Sequence, residues 1–195
     1  TQGVSSAASD VYKRQAQAQA NRTLIVETAS QLFRERGYDG VGVADLMAAA
    51  GFTHGGFYKH FGSKADLMAE SAACGVAKTL ERSQDLSAQQ FFDLYLTRQH
   101  RDTRDQGCTL SALCGDAARQ PEALKTIFAD AIEALLTTLA RNEAQEAGEQ
   151  QRARLIGQLA QAVGAIVLSR ACPDDSPLAD EILGACRSLQ HDGNR

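Results

Sequence analysis

Apolar residues along this chain recur at spacings of three and four, and no alternating apolar–polar run persists. That period predicts helices throughout. Over Arg22–Arg36 the stripe is Ile25, Ala29, Leu32 and Phe33, with Arg34 and Arg36 suited to the helix C-terminal dipole and Gly37 ending it. Val43, Leu46, Met47 and Ala50 mark a short second helix stopped by Gly51. His54–Phe61 is a third, too short to stand alone, with Phe57 and Phe61 on one buried stripe and Tyr58 off it. Ser63 starts a fourth with an acid at the third position, Asp66, as in a capping box. It runs to about Glu81, with Leu67, Ala73, Val76, Ala77 and Leu80 inward.

Further helices are predicted over Ser87–Arg101, Leu110–Arg119, Pro121 to about Gln145, Arg152–Ala171 and Leu178–Leu189. The fold class is all-α, with about nine helices. Residues 143–151 read as a polar loop and HDGNR as a frayed end. Residues 1–20 show no apolar period and are predicted to be a disordered tail, with Lys13 and Arg14 on it.

Composition adds little until it is split along the chain. The net charge is −4, but residues 1–70 balance seven basic against seven acidic residues, so the acidity lies in the rest. His54, Lys59, His60 and Lys64 form a local basic patch near the third helix, the footprint of a modest DNA contact. The five cysteines, Cys74, Cys108, Cys114, Cys172 and Cys186, show no metal spacing and read as reduced, buried small hydrophobes. No 18-residue apolar run and no leader pattern occur, which predicts a cytoplasmic chain without a membrane span. Nor is there a nucleophile–base set, a phosphate loop after a strand, or a metal cluster, so no enzyme, cofactor or metal is predicted.

Two short helices joined by a glycine turn make a helix-turn-helix, whose second helix can enter a major groove. Gly55 and Gly56 would each cost about 1 kcal/mol in a purely structural helix. They fit a backbone that something approaches closely.

The set Arg22, Ile25, Ala29, Leu32-Phe33, Gly37-Tyr38, Asp45-Leu46, Ala50-Gly51 and Gly56-Phe57-Tyr58-Lys59-His60-Phe61-Gly62-Ser63-Lys64 with Leu67 resembles the tetracycline-repressor (TetR) family of transcriptional regulators. The motif covers residues 22–67. Beyond it the likeness is one of helix order and of the segment GCTLSALCGDAARQP. The resemblance implies a homodimer with a DNA-binding head over 21–67 and an effector-binding and dimerisation body over 82–190. It implies a ligand-responsive repressor of a palindromic double-stranded operator, released by an unidentified small molecule.

Carried over by position, the DNA-facing residues are Thr53, His54, Gly55, Gly56, Tyr58, Lys59 and His60, with Lys64 meeting a phosphate. His54 and Lys59 are the candidates for base edges. One departure stands out: Gly42 replaces the usual capping threonine, which removes a hydroxyl and weakens the cap by a few tenths of a kcal/mol. Phe91, Phe92, Tyr95, Cys108 and Phe128 are the pocket candidates, the aromatics reading equally well as core. His100, Arg98 and Arg101 read as a solvated face. Leu159, Val163, Ile166, Val167, Ile182, Leu183 and Cys186 are the dimer candidates. Cys108, with Arg101 and Arg104 near it in sequence, offers an alternative: a repressor that senses electrophiles. A helical interaction protein without DNA binding is a third reading.

Overall fold

The computed structural model describes residues 3–143 and 148–192. Every regular element among them is helical: α1 (Gly3–Arg36), α2 (Val43–Ala49), a 3-10 helix (His54–Lys59), α3 (Lys64–Ser83), α4 (Ala88–Tyr95), α5 (Arg98–Asp102), a 3-10 turn (Arg104–Gln106), α6 (Thr109–Ala117), α7 (Glu122–Arg141), α8 (Glu149–Ala171) and α9 (Pro177–Asp192). The all-α class is correct. The predicted tail is not: helix extends back to Gly3, and residues 8–20 are exposed along it. The physical reason is the alanine–glutamine run before Arg22, which favours helix without any apolar face to bury. Part of the predicted 143–151 loop and the last residues of the frayed end lie outside the described residues.

Helices α1, α2 and the His54–Lys59 element close around Ile25, Ala29, Phe33, Tyr38, Val41, Leu46, Met47, Phe57, Phe61 and Leu67, all buried. Helix α3 leaves this group and packs along α7, while α8 pairs with α9 and α6 sits among α1, α3, α7 and α8. The inward face of α3 differs from the one its apolar spacing predicts. Ala73 and Ala77 are exposed, and Ser71, Ala72, Gly75, Thr79 and Ser83 are buried. The hydroxyls make this possible, because Ser71, Thr79 and Ser83 donate to carbonyls of their own helix at Met68, Gly75 and Thr79. Gly75 is the closest crossing: a Cβ there would lie 2.3 Å from Thr109 Oγ1 and 2.6 Å from Arg34 Nη1.

The long helix predicted over Ser87–Arg101 is broken at Leu96. Thr97 caps a new helix by accepting from the His100 N–H at 3.1 Å.

Candidate nucleic-acid interface and ligand pocket

The turn that presents the interface starts at the end of α2. Gly51 has φ +82°, and its neighbour Phe52 donates N–H to Met47 O at 2.8 Å, with Gly51 N–H to Ala48 O at 3.0 Å. This is a Schellman C-cap, and it needs a residue that tolerates the left-handed region. The N-terminal end of α2 has no side-chain cap. Gly42 N–H is instead met by the Asp45 carboxylate at 3.3 Å.

The next element, His54–Lys59, is a 3-10 helix rather than an α-helix. Two consecutive glycines give it little α propensity, and tertiary packing fixes it instead. Phe57 is fully buried and stacks on Phe61 at 5.5 Å between ring centres, while Tyr58 beside it stays 71% exposed. Thr53, His54, Gly55 and Lys59 are also exposed, and Gly56 and His60 are half-buried. Arg22 clamps the far end: its Nε donates to His60 O at 3.3 Å, its guanidinium lies 4.7 Å from the Phe61 ring centre, and both Nη atoms pair with Glu70. No acid lies between Asp45 and Asp66. The exposed edge therefore carries a phenol, an ammonium and an imidazole on a rigid base.

Within the chain nothing explains Gly55, since a Cβ there would meet nothing within 4 Å. Lys64 stands apart from the other predicted DNA-facing residues. Its Nζ donates to Tyr38 O at 2.6 Å and lies 5.8 Å from the Phe33 ring centre. Its ammonium ties the start of α3 to the segment between α1 and α2, a bond that uses one of its three donors.

The pocket lies in the other part of the molecule. A cavity of about 300 Å³ is walled by Leu86, Phe91, Leu94, Tyr95, His100 and Cys108, with Thr79, Arg82 and Ser83 of α3 on another side. Three predicted residues, Phe91, Tyr95 and Cys108, line it. Phe92 and Phe128 do not and belong to the core, at 0% and 5% exposure: Phe92 is turned about 100° from Phe91 on α4, and α7, which carries Phe128, gives the cavity no wall residue. His100 is a correction in the other direction. Its Nδ1–H donates to Tyr95 O at 2.8 Å and its Nε2 accepts the Cys108 N–H at 3.0 Å. Burial pushes its pKa down to about 4; the Tyr95 carbonyl opposes this, and Arg170 and Arg82 add to it.

The solvated-face reading also fails for Arg101, which is 2% exposed and donates to Ser169 O, Asp102 and Asp174. Those bonds direct its guanidinium to the Ser169 carbonyl and two carboxylates. Carbonyls from Leu96 to Gln106 are held by arginines from around the fold. Arg187 reaches Leu96 O, Arg170 reaches His100 O and Arg101 O, Arg34 reaches Asp105 O, and Arg82 reaches Gln106 O.

Residues 25–70 match the family described as bacterial regulatory proteins, tetR family. The head is a tetR-family head. It is 51% identical over 43 residues to the HTH-type transcriptional repressor DhaR of Mycobacterium sp. (strain GP1), spanning 22% of each chain. It is 38% identical over 58 residues to the regulator TtgR of Pseudomonas putida (strain DOT-T1E), spanning 30% of this chain and 28% of that protein. The match thus spans about a quarter of those relatives' length. The whole fold is shared more widely. NemR of E. coli in its reduced form superposes with a TM-score of 0.72 at 16% identity, covering 89% of this chain and 96% of that one. AibR, solved with isovaleryl coenzyme A and operator DNA, superposes at 0.56 with 18% identity, covering 87% and 97%.

Beyond the tetR-family head, the predicted dimer residues divide into two groups. Leu159, Ile166 and Leu183 are buried inside the chain's own core and are corrected as interface residues. The reason is helical phase: the α8 and α9 stripes that face each other leave a second face outside. Val167 is 49% exposed, and Val163, Ile182 and Cys186 are half-buried. The sequence reading missed Ile156, Leu168, Leu178 and Leu189, all exposed. A wider apolar stripe than one core needs was the available signal. All five cysteines are free, but only Cys108 is buried, against the expectation that most would be.

Proposed function

We propose that the chain is a ligand-responsive transcriptional repressor, acting as a homodimer on a near-palindromic operator, with the head over 21–67 and the effector and dimerisation body over 82–190. The observation that carries this reading is the exposed edge of the His54–Lys59 element, set on a fully buried Phe57 and facing no other part of the chain. Lys59 and His54 would reach base edges, and Tyr58 and His60 the phosphates, with the recognition elements of two protomers about 34–36 Å apart or a multiple of it. A gel shift against DNA upstream of the chain's own coding region tests it. Lys59→Ala is expected to weaken binding and lower the salt slope by about one. Unchanged affinity and slope would remove Lys59 from the interface.

The dimer in this reading uses the exposed apolar face of α8 and α9, including Ile156, Val167, Leu178 and Leu189. Val167→Asp is expected to give folded monomers that lose operator binding. A Val167→Asp dimer of normal affinity would exclude this face.

A second reading, sensing of electrophiles by Cys108, is favoured by one placement: the buried thiol lines the cavity. In that case Cys108→Ser keeps operator binding and abolishes its release by a soft electrophile. Release that persists in the variant excludes it.

A further inference from the structure

We propose that the cavity takes a small aromatic carboxylate, anchored by Arg82 at its mouth, and that the Arg104–Gln106 turn is the part of the wall that responds. This rests on the ligand-responsive reading and adds the chemical class of the ligand and the residue that selects it.

The shape selects a ring. Phe91, Tyr95, Leu86 and Leu94 give the cavity its apolar walls, and about 300 Å³ is the low end of the usual range for ligand sites. One ring fits that volume better than several.

The charge selects an anion. No Asp or Glu lines the cavity, and Arg82 is the one residue among its walls with a formal charge. Behind the wall lies Arg170, whose charge also acts on His100. The other polar walls are neutral: Gln99, Gln106 and the Tyr95 hydroxyl, which is buried without a partner among the described residues, can donate but carry no charge, and three threonines are already committed. Thr79, Thr97 and Thr103 give their hydroxyl protons to Gly75 O, Leu94 O and Gln99 O at 3.2, 2.9 and 2.7 Å. His100 has both ring nitrogens engaged by the backbone.

Arg82 does have donors to spare. Its Nε reaches Lys78 O at 3.2 Å and both Nη atoms converge on Gln106 O at 3.2 Å. Three of its five N–H groups are thereby used. Among the described residues it pairs with no carboxylate. An exposed guanidinium held only by neutral carbonyls prefers a carboxylate when one arrives, because charge-assisted bonds are about twice as strong. A ligand carboxylate would therefore compete with Gln106 O for Arg82.

That competition has a consequence for the head. The Arg104–Gln106 turn sits between two arginines. Arg82 holds Gln106 O from the cavity side, and Arg34 of α1 holds Asp105 O from the head side. Arg34 is 7% exposed, and burial lowers its pKa, with Cys74, Cys108 and Asp105 opposing this and Arg82 adding to it. Drawing Arg82 to the ligand loosens one of the two grips on the turn, and the other is a residue of the helix that carries the DNA-binding head.

The test uses the full chain with benzoate and its uncharged isostere benzamide, read by calorimetry and by gel shift in the presence of each compound. Wild type is expected to bind benzoate at least about tenfold more tightly than benzamide, the discrimination one charge-assisted bond gives. Arg82→Gln should bind both alike, and Arg82→Lys should keep part of the preference. Benzoate should weaken operator binding in wild type and not in Arg82→Gln. Thermal melts of the variants check folding, which the exposure of Arg82 should spare. Equal binding of the two compounds by wild type overturns the proposal, as does a benzoate preference that survives in Arg82→Gln, or no binding of either by a chain that binds operator. Arg82-dependent benzoate binding by a chain that binds no operator supports the pocket and sinks the repressor reading instead.

Discussion

Between Gly37 and Leu67 the buried residues of the head are all apolar or aromatic, whereas the body buries Thr79, Ser83, Arg101, Ser111, Gln151 and Ser169. The two regions solve different problems. The head must hold a short, glycine-rich element rigid, and large rings packed against Met47 and Leu67 do that. The body must surround a cavity, and a cavity cannot be closed by filling it. Its wall between Leu96 and Cys108 is a five-residue helix and a 3-10 turn, both too short to stand alone, so arginines from α1, α3, α8 and α9 hold its carbonyls in place. The lesson is that in the head packed rings seat the recognition element and Arg22 and Lys64 only tie its edges, whereas the cavity wall in the body depends on directed hydrogen bonds.

The comparison is broken most directly at Phe57. Phe57→Ala is expected to cost about 3–5 kcal/mol, the usual cost of emptying a fully buried ring site. Chemical denaturation should show the whole loss, together with loss of operator binding. A cost below about 1 kcal/mol would mean that the ring does not hold the recognition element.

In the body the corresponding probe is pH. The neutral form of His100 bridges Tyr95 O and Cys108 N–H, and its pKa is lowered from 6.5 to about 4. Protonation therefore favours the unfolded chain. The contribution is fully present above pH 6.5 and is lost as pH falls through the window between 6.5 and 4. The full shift corresponds to about 3 kcal/mol, an upper figure for a half-buried ring. His100→Gln should remove this slope, so the stability difference between wild type and variant should shrink from neutral pH to pH 4. Parallel curves would show that His100 is not held as drawn. Head variants should leave the slope intact.

The same contrast decides what could be read from the residues alone. Phe57, Phe61, Gly51 and the exposed Tyr58 were legible because rings at period four and a stopping glycine each have one structural meaning. The inward face of α3 was not, because Ser71, Thr79 and Ser83 look polar and are buried by bonding back to their own helix. The phosphate role of Lys64 came by position from the family likeness, which does not show the neighbouring carbonyl its ammonium also meets. Only three dimensions show the bond from Lys64 to Tyr38 O. His100 was read as part of a solvated face and Arg82 was not singled out, since no spacing marks a side chain whose partners are backbone groups. Leu159, Ile166 and Leu183 were read as an interface because periodicity reports an apolar face without saying what covers it.

The smallest expected effect on stability is the most informative about the head. Gly55→Ala adds a methyl that meets nothing within 4 Å in the free chain. Alanine also restricts the unfolded chain, so stability should stay level or rise by up to about 1 kcal/mol. Had Gly55 a role in the fold, the substitution would destabilise. If its role is to let DNA come close, the variant should melt no earlier than wild type yet bind operator more weakly, with the loss in affinity present at both low and high salt, because a steric clash is not screened. A charged contact such as Lys59 should behave oppositely, its loss shrinking as salt rises. A Gly55→Ala variant with full affinity would leave the glycine without a part in binding, and the exposed edge would then owe its action to side chains alone.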